Sequence, residues 1–321
     1  MSVNRINKLI LVIIGLMIIS CQEEENPTQN DTSVSHINLK ILGYGNSFMR
    51  NSIHYLSEIA KGCGVNIIVG NLYTGGTYLE DHYEALLNDT NPYYYHKYEN
   101  GINTVNDSNL IAMHGLLDEK WDIIILHQYN VQSHSIEPTF SQFVDLIDER
   151  LGYCPKIYIN STWAYHNGYI NKWLTDYYAG EAEMWEDMLS KWKLACRECG
   201  ISDSLIIPTG TAIQNARTLS WADGYNRFVN GGATDYSDDW HHLNPAGGFI
   251  AACTIFQKIV SPLTGINCSS TNFRITTQTS LPPQVIVQDG VLVTDDNFYP
   301  MCKAAISAVE NPYEITFLSS K

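Results

Sequence analysis

Short apolar runs alternate with helix-like segments along most of this chain, and that alternation restricts the fold more than any other feature. Runs typical of buried strands occupy residues 37–42, 65–70, 122–126, 156–160 and 205–207. The segments between them repeat apolar residues at helical spacing. Strands that alternate with helices pair in parallel through right-handed crossovers. The sequence therefore predicts an α/β fold, a doubly wound, mainly parallel sheet with helices on both faces in a three-layer sandwich.

The first 21 residues predict a lipoprotein signal peptide. Basic residues precede an apolar run over residues 9–19, which is short for a permanent membrane span. The run leads to Ile18-Ile19-Ser20-Cys21, which resembles the lipobox whose cysteine receives a lipid. A plain secretory signal with a chance cysteine is the alternative. We expect a lipid anchor in the outer membrane, at the cell surface or on its periplasmic face.

The rest of the chain divides into a tether and one domain. Residues 22–36 are acidic and polar, so they predict a flexible tether, and residues 37–321 predict a single domain with a C-terminal appendage. In that appendage, residues 273–275 and 284–293 are β-like and residues 301–309 are helical. The membrane is expected as a partner only through the N-terminal lipid.

Charge and cysteine content exclude some classes of protein. The formal net charge of -15 argues against nucleic acid, because phosphate binding needs clustered Lys and Arg. Eight cysteines less a lipidated Cys21 leave seven, an odd number that rules out a fully paired disulfide framework. Cys196 and Cys199 have redox-like spacing, yet they end an amphipathic helix, which favours a structural role or a local disulfide.

The first strand ends in Gly45-Asn46-Ser47-Phe48 and precedes a helix. A serine there has its hydroxyl and its backbone N–H at the carboxyl edge of the sheet, where active sites of such folds lie. An ester-cleaving serine needs a base, a group that orients the base, and donors for the oxyanion. Alone, this tripeptide would be read as a turn with an N-cap serine.

The segment 238–245, Asp-Asp-Trp-His-His-Leu-Asn-Pro, supplies the base and its orienting group. Asp239 and His242 are three residues apart in a constrained turn, so the carboxylate can hold Nδ1–H while Nε2 faces inward. Asp238 with His241 is the alternative register. A metal site is the other use of these residues, and it is disfavoured because only two histidines lie together. Asn244 suits a helix N-cap and Pro245 the first helical position.

These motifs, in this order over roughly residues 37–260, resemble the SGNH/GDSL hydrolases, in particular a branch of bacterial lipoproteins. The matching parts are the first-strand Gly-Asn-Ser, the Gly-bearing loop 74–77 and Asp-x-x-His before the last long helix. The resemblance implies Ser47 as nucleophile, His242 as base, Asp239 as its orienting carboxylate, and an oxyanion hole from the N–H groups of Ser47 and Gly76. No cofactor and no metal are implied.

One block departs from that family. After the third strand the family has Gly-x-Asn, whose amide completes the oxyanion hole, whereas this chain continues as His127-Gln128-Tyr129-Asn130. Gln128 lies nearest the strand end, and Asn130 is the alternate donor if the loop carries an extra residue. A relative that keeps the fold without the donor is also compatible with this change.

The implied function is a serine esterase that removes a small acyl group, most naturally acetyl, from a carbohydrate. Trp163 and Tyr165 follow the fourth strand and are candidates for stacking on a sugar, although aromatic pairs are more often core. Arg217 is a further candidate substrate contact and could equally cap a helix. The alternative function is a non-catalytic surface glycan-binding lipoprotein. A long-chain lipase or thioesterase is disfavoured, because the loops rich in Tyr, Asn and Asp do not suggest an apolar groove.

Overall fold

A computed structural model describes residues 37–90, 92–128, 138–198, 200, 202–222, 228–229, 241–276 and 292–318. The described residues belong to a compact unit that runs from Ser35 to Lys321. Its strands form one sheet in the order β4-β3-β2-β1-β5-β6-β7. Their bounds are β1 Leu39–Gly45, β2 Ile67–Tyr73, β3 Tyr93–Glu99, β4 Ile102–Leu110, β5 Ile123–His127, β6 Lys156–Asn160 and β7 Ile206–Ile207.

The parallel part of the sheet has the strand order of a doubly wound fold. Strands β2, β1, β5, β6 and β7 are parallel neighbours, which is the flavodoxin-like order 2-1-3-4-5 when only parallel strands are numbered. β2 pairs with one edge of β1, and the chain later crosses over so that β5 pairs with the opposite edge of β1. The point where the order reverses therefore lies between β1 and β5. The predicted α/β, mainly parallel sheet is confirmed.

The central strands are mostly apolar, because helices cover both faces of the sheet. In β1, residues on both faces are fully buried, among them Ile41, Leu42 and Tyr44. The described helices are α1 Ser47–Ile53, α2 Leu56–Gly62, α3 Leu79–Asn88, α4 Ala112–Leu117, α5 Thr139–Leu151, α6 Asn167–Trp173, α7 Glu181–Glu198, α8 Thr209–Arg217, α9 Pro245–Ile255, α10 Ser261–Thr264 and α11 Asp295–Glu310. One packed group contains α1, α2, α8, α9 and α11, and another contains α3, α4 and α5.

The antiparallel edge of the sheet was not predicted. By its composition the tyrosine-rich stretch from Pro92 to Gly101 is expected to be an insertion, whereas Tyr93–Glu99 form β3, antiparallel to β2, and the chain continues into β4. Tyr93 and Tyr95 point into the protein and are buried, while Tyr94 between them is exposed. This alternation is the period-2 pattern of a half-buried strand, hidden in the sequence because tyrosine occupies both faces.

The C-terminal appendage differs in detail from the prediction. Of the two β-like segments, the described part contributes a single antiparallel bridge between Ile275 and Val293. Residues 277–291 lie outside the described residues. The predicted helix at 301–309 is part of the longer α11, whose buried residues pack on α8 and α9. The appendage therefore packs on the sheet domain, as expected.

The segment Pro245–Thr264, which comprises α9, a π-helical turn and α10, is apolar enough to cross a membrane by length and composition alone. Its mean hydropathy is 1.3, but 72% of that window is buried inside the protein. All residues of α9 are buried, and the helix packs against α1, α2, α8 and α11. This segment is therefore the central core helix of the domain.

Candidate active site

Ser47 begins α1 directly after β1, at the carboxyl edge of the sheet and at the point where the strand order reverses. Asn46 is the N-cap of α1, and its Oδ1 accepts a hydrogen bond from the N–H of Phe48 at 3.0 Å. Gly45 allows the close approach that this turn requires. A Cβ on Gly45 would lie 3.1 Å from the Cβ atoms of both His127 and Met49. The turn thus presents a half-buried serine at the site edge.

His242, which follows Ser47 by 195 positions in the sequence, faces it across the site. Its Nε2 lies 2.8 Å from Ser47 Oγ, which is hydrogen-bond distance. The imidazole is held just ahead of α9, where Asn244 is the N-cap and Pro245 follows it. The predicted cap and first-position proline are confirmed. The N–H of Leu243 donates to Asn51 Oδ1 at 3.3 Å, so the His242 turn is tied to the helix that begins with Ser47.

Aromatic rings surround the His242 imidazole. The Phe48 ring meets it edge-on with centroids 5.2 Å apart, and the His241 ring lies beside it at 4.5 Å. Trp163 Nε1 donates to the backbone carbonyl of His241 at 2.8 Å, which fixes the turn from below. These contacts hold the His242 ring in the position from which its Nε2 reaches Ser47 Oγ.

Three of the residues singled out from the sequence lie outside the described residues. They are the carboxylate Asp239, the alternate amide Asn130 and the lipidation site Cys21. Asp238, the partner in the alternative register, lies outside as well. Their roles remain predictions.

The loop 74–77 after β2 lies beside the serine turn. Asn46 Nδ2 donates to the carbonyl of Thr77 at 2.9 Å, which joins the two turns directly. Thr77 Oγ1 donates across the loop to the carbonyl of Thr74, also at 2.9 Å. Gly76 has a φ of 72°, in the left-handed region where a side chain is strained. Glycine therefore suits this position of the loop, which is held against the turn that carries Ser47.

A buried histidine supports this loop. His82 Nε2 lies 3.0 Å from Thr77 Oγ1, and His82 Nδ1 lies 2.8 Å from Tyr93 Oη. Because the Thr77 hydroxyl donates to Thr74, His82 must donate from Nε2 and accept from Tyr93 at Nδ1. Complete burial lowers the pKa of His82 to about 3, so the ring is neutral and keeps this tautomer at neutral pH.

Gln128 follows β5 and is buried at the same edge of the sheet. Its Oε1 accepts a hydrogen bond of 2.7 Å from the N–H of Leu79, the first residue of α3. That bond fixes one end of the side-chain amide. The Nε2 group makes no hydrogen bond within the part of the chain that the structure describes. It is the donor end that an oxyanion would require.

A second buried histidine, His127, anchors the network below the site. Asn160 Nδ2 donates to Ser52 Oγ at 2.9 Å and to His127 Nδ1 at 3.2 Å. His127 Nε2 therefore carries the proton and donates to Thr162 Oγ1 at 3.3 Å, and that hydroxyl donates to the carbonyl of Gln128 at 3.1 Å. Burial is the largest cause that lowers the pKa of His127 to about 3, with His82 contributing. The network ties α1, β5 and β6 together beneath Ser47.

The substrate contacts predicted at Trp163, Tyr165 and Arg217 differ from what the structure shows. Trp163 is fully buried against Phe48, and the Tyr165 side chain is 3% exposed, so neither ring offers an open face. Arg217 is buried and donates to Gln214 Oε1 at 2.7 Å and to the carbonyl of Ala164 at 3.1 Å. These residues hold the loop after β6 in place. Tight packing of aromatics, which sequence spacing does not reveal, is the reason.

A different aromatic surface lies at the end of β2. Tyr73, opposite Gly45 in the sheet, stacks on Tyr94 with centroids 5.2 Å apart and an interplanar angle of 19°. The Arg50 guanidinium lies 5.1 Å from the centre of the Tyr73 ring and has no ion-pair or hydrogen-bond partner among the described residues. Arg50 follows Ser47 by three positions, so the two share a side of α1. The sequence signal was the tyrosine-rich stretch, which spacing alone did not connect to Ser47.

Within the described ranges, the side chains grouped closely enough to hold a metal are three cysteines, Cys253, Cys268 and Cys302. They lie on α9, on α11 and in the turn between these helices, not in the loops that carry Ser47 and His242. The site itself places a hydroxyl against an imidazole, an arrangement that suits nucleophilic chemistry.

The fold and the site define a doubly wound α/β domain with a serine–histidine pair at its topological switch point. The model of the family DUF4886, a domain of unknown function, matches residues 40–279, and the chain belongs to that family. The crystal structure of a DUF4886 family protein from Bacteroides uniformis ATCC 8492 is similar, with a TM-score of 0.69 and 28% identity over 88% of this chain and 98% of that chain.

A second solved structure is a protein from Slackia heliotrinireducens that is described as a candidate SGNH hydrolase. The match covers 70% of this chain and 100% of that chain, with 19% sequence identity and a TM-score of 0.39. That likeness is too slight to carry an argument about activity. None of the curated proteins matches the chain.

Proposed function

We propose that this protein is a serine hydrolase of the SGNH type that removes a small acyl group, with acetyl as the preferred group, from a carbohydrate. The observation that carries the proposal is the 2.8 Å approach of His242 Nε2 to Ser47 Oγ. A neutral imidazole at that distance is a general base for the hydroxyl. Hydrolase chemistry follows from this pair together with the donors around it, rather than from the distant structural likeness.

In the proposed mechanism, His242 takes the proton of Ser47 as the serine oxygen attacks the ester carbonyl. The backbone N–H groups of Ser47 and Gly76 and the amide of Gln128 stabilise the oxyanion. Asp239 orients the imidazole and stabilises its charged form. Protonated His242 gives its proton to the leaving alcohol. Water, activated by the same imidazole, then releases the acyl group as a carboxylic acid, and Ser47 regains its proton.

The carbohydrate part of the proposal is supported by surface chemistry. Tyr94 is exposed and stacked on Tyr73, and such a ring offers an open face to the apolar side of a sugar. The net charge of -15 disfavours nucleic acid as a substrate. The lipobox-like sequence at Cys21 supports export and lipid anchoring, which would place the enzyme at a surface that is exposed to glycans.

Replacing Cys21 with Ala should release the protein from the membrane fraction, because the lipid is expected to be its membrane anchor. Full retention of the variant in that fraction would argue for an uncleaved anchor.

The first experiment assays the protein without residues 1–21 on p-nitrophenyl acetate, butyrate and decanoate, and on acetylated xylan and pectin. We expect acetate to be preferred over decanoate. Ser47→Ala and His242→Ala should each lower the rate by several orders of magnitude, on the order of 10⁴. Ser190→Ala, an exposed serine on α7, is the matched control and should keep full activity.

A fluorophosphonate probe gives a readout that is independent of the substrate. It should label the wild type at Ser47, as located by peptide mass spectrometry, and should not label Ser47→Ala. Full activity in Ser47→Ala would refute the assignment. An absence of turnover and of labelling, together with glycan binding, would instead favour the non-catalytic glycan-binding function.

A further inference from the structure

Three cysteines from separate parts of the chain converge inside the protein. Cys253 lies in α9, Cys268 begins the turn Cys268–Ser270, and Cys302 lies in α11. All three are fully buried, and their sulfur atoms lie within 4.8 Å of one another. None of them is used by the proposed active site.

We propose that these cysteines form a structural metal site that takes a thiol-binding divalent cation, Zn²⁺ in particular. In a tetrahedral zinc–thiolate site the Zn–S bonds are about 2.3 Å, so the sulfur atoms stand about 3.8 Å apart. The observed sulfur spacing of no more than 4.8 Å needs only small side-chain rotations to reach that arrangement. A disulfide would join two of the sulfur atoms and leave the third without a role.

A fourth thiol stands next to the group. Cys63, at the end of α2, donates from Sγ to the carbonyl of Asn267 at 3.7 Å, and Asn267 directly precedes Cys268. Cys63 also lies within electrostatic range of Cys268 and Cys302. Cys63 Sγ lies outside the group of sulfur atoms that are within 4.8 Å of one another, and we expect its side chain to turn inward to complete the four ligands that structural zinc requires. Water does not reach the three buried cysteines, so a protein ligand suits the fourth position.

The charges around the group fit a divalent ion. With Cys63 as the fourth ligand, four thiolates and Zn²⁺ carry two net negative charges, and the guanidinium of Arg274 is within electrostatic range of Cys302 to oppose them. A monovalent cation would leave three negative charges in the interior, which costs more. On binding, each thiol loses its proton to solvent as its sulfur bonds to the metal. Because the ligands are buried, the ion would enter during folding and join α2, α9 and α11.

The test measures metal in the full chain as purified in detergent without chelators. Elemental analysis should find about one zinc per chain. Cys302→Ser should lose most of that zinc, whereas Cys154→Ser, which replaces an exposed cysteine elsewhere, should retain it. The Cys302→Ser variant should also unfold at a lower temperature than Cys154→Ser, because a bound metal stabilises the folded state.

A second measurement does not depend on whether the Cys302 variant folds. Wild-type protein refolded with Co²⁺ in place of zinc should show thiolate-to-cobalt charge-transfer absorption. Subsequent addition of excess zinc should remove this absorption. Intact mass spectrometry of the alkylated, denatured protein distinguishes the alternatives. A disulfide between two of these cysteines, or metal-free protein in which all three thiols are reduced and no cobalt spectrum forms, would overturn the proposal. Esterase activity is not the readout, so failure here leaves the proposed function untouched.

Discussion

Replacing His127 with Gln should make the protein less sensitive to acid. His127 is completely buried, and its two ring nitrogens are committed to Asn160 and Thr162 as acceptor and donor. A protonated ring would carry a second N–H towards the amide of Asn160, which already donates. The folded state therefore keeps His127 neutral, whereas the unfolded chain takes up a proton near the ordinary pKa of 6.5.

The size of the effect follows from the two pKa values. Burial lowers the pKa of folded His127 from 6.5 to about 3. The stability contributed by a lowered pKa is present above 6.5 and is lost progressively as the pH falls towards 3. Each pH unit in that window costs about 1.4 kcal/mol for one proton. At about pH 5.0, roughly 1.5 units below the unfolded pKa, the loss is about 2 kcal/mol.

Other buried groups titrate in the same range, so the prediction concerns a difference between proteins. Burial lowers the pKa of His82 to about 3, which adds to the acid sensitivity, and raises the pKa of Glu58 to about 7, which opposes it. These contributions are shared by the wild type and His127→Gln and cancel when the two are compared. His114→Gln, at an exposed histidine on α4, is the matched control.

The assay is urea unfolding at 25 °C and at pH 7.5 and 5.0. Between these pH values, the free energy of unfolding of the wild type should fall by about 2 kcal/mol more than that of His127→Gln. His114→Gln should follow the wild type. Parallel pH dependences of the wild type and His127→Gln would refute the assignment of a neutral buried His127. A pKa near 6.5 for the His127 ring by NMR would refute it independently.

Three further predictions concern the site. Asn46→Ala should lower the free energy of unfolding, measured in urea, by about 2 kcal/mol, because it removes an N-cap and the hydrogen bond to Thr77. It should also lower kcat, because the loop that contains Gly76 is no longer held; an unchanged kcat would show that this loop is not needed for catalysis. Gln128→Ala should lower kcat by roughly 10²- to 10³-fold with little change in KM, and a larger defect in Asn130→Ala would move the donor to that residue. Tyr94→Ala should raise KM for acetylated xylan and leave the kinetics of p-nitrophenyl acetate unchanged; equal effects on both would argue against sugar stacking.

The sequence contained enough to predict the parts of the fold that obey simple periodicity. Strands β5, β6 and β7 were placed to within one residue, because each is a short apolar run between polar turns. The β3–β4 hairpin was not predicted, because tyrosine is compatible with both faces of a strand. Val65 was assigned to β2, whereas the strand begins at Ile67 and continues through Tyr73. Residues such as Asn71 and Tyr73 have no apolar signature and become strand only through pairing with β1 and β3.

The predicted site shows the same division. Ser47 and His242 were predicted from turns whose chemistry is local, and the structure brings them together. Trp163 and Tyr165 were placed at the correct sheet edge, but whether an aromatic ring points outward depends on what packs on it. Asn46 and His82 hold the loop 74–77 through contacts that no local pattern encodes. The Ser47–His242 pair was thus easier to predict than the residues that position it.

The distance between Ser47 and His242 is set by the packing of two helices rather than by either motif. The two residues are 195 positions apart, and the turn that holds His242 is bonded to α1 through Asn51. Further along the same helices, a Cβ on Gly248 of α9 would lie 3.2 Å from Tyr55 Cε2 and 3.4 Å from the carbonyl oxygen of Asn51. A side chain larger than a methyl group at that position would push α9 away from α1. The Ser47–His242 distance therefore depends on a small residue that touches neither of them, and a large substitution there would move His242 away from Ser47 with both side chains still in place.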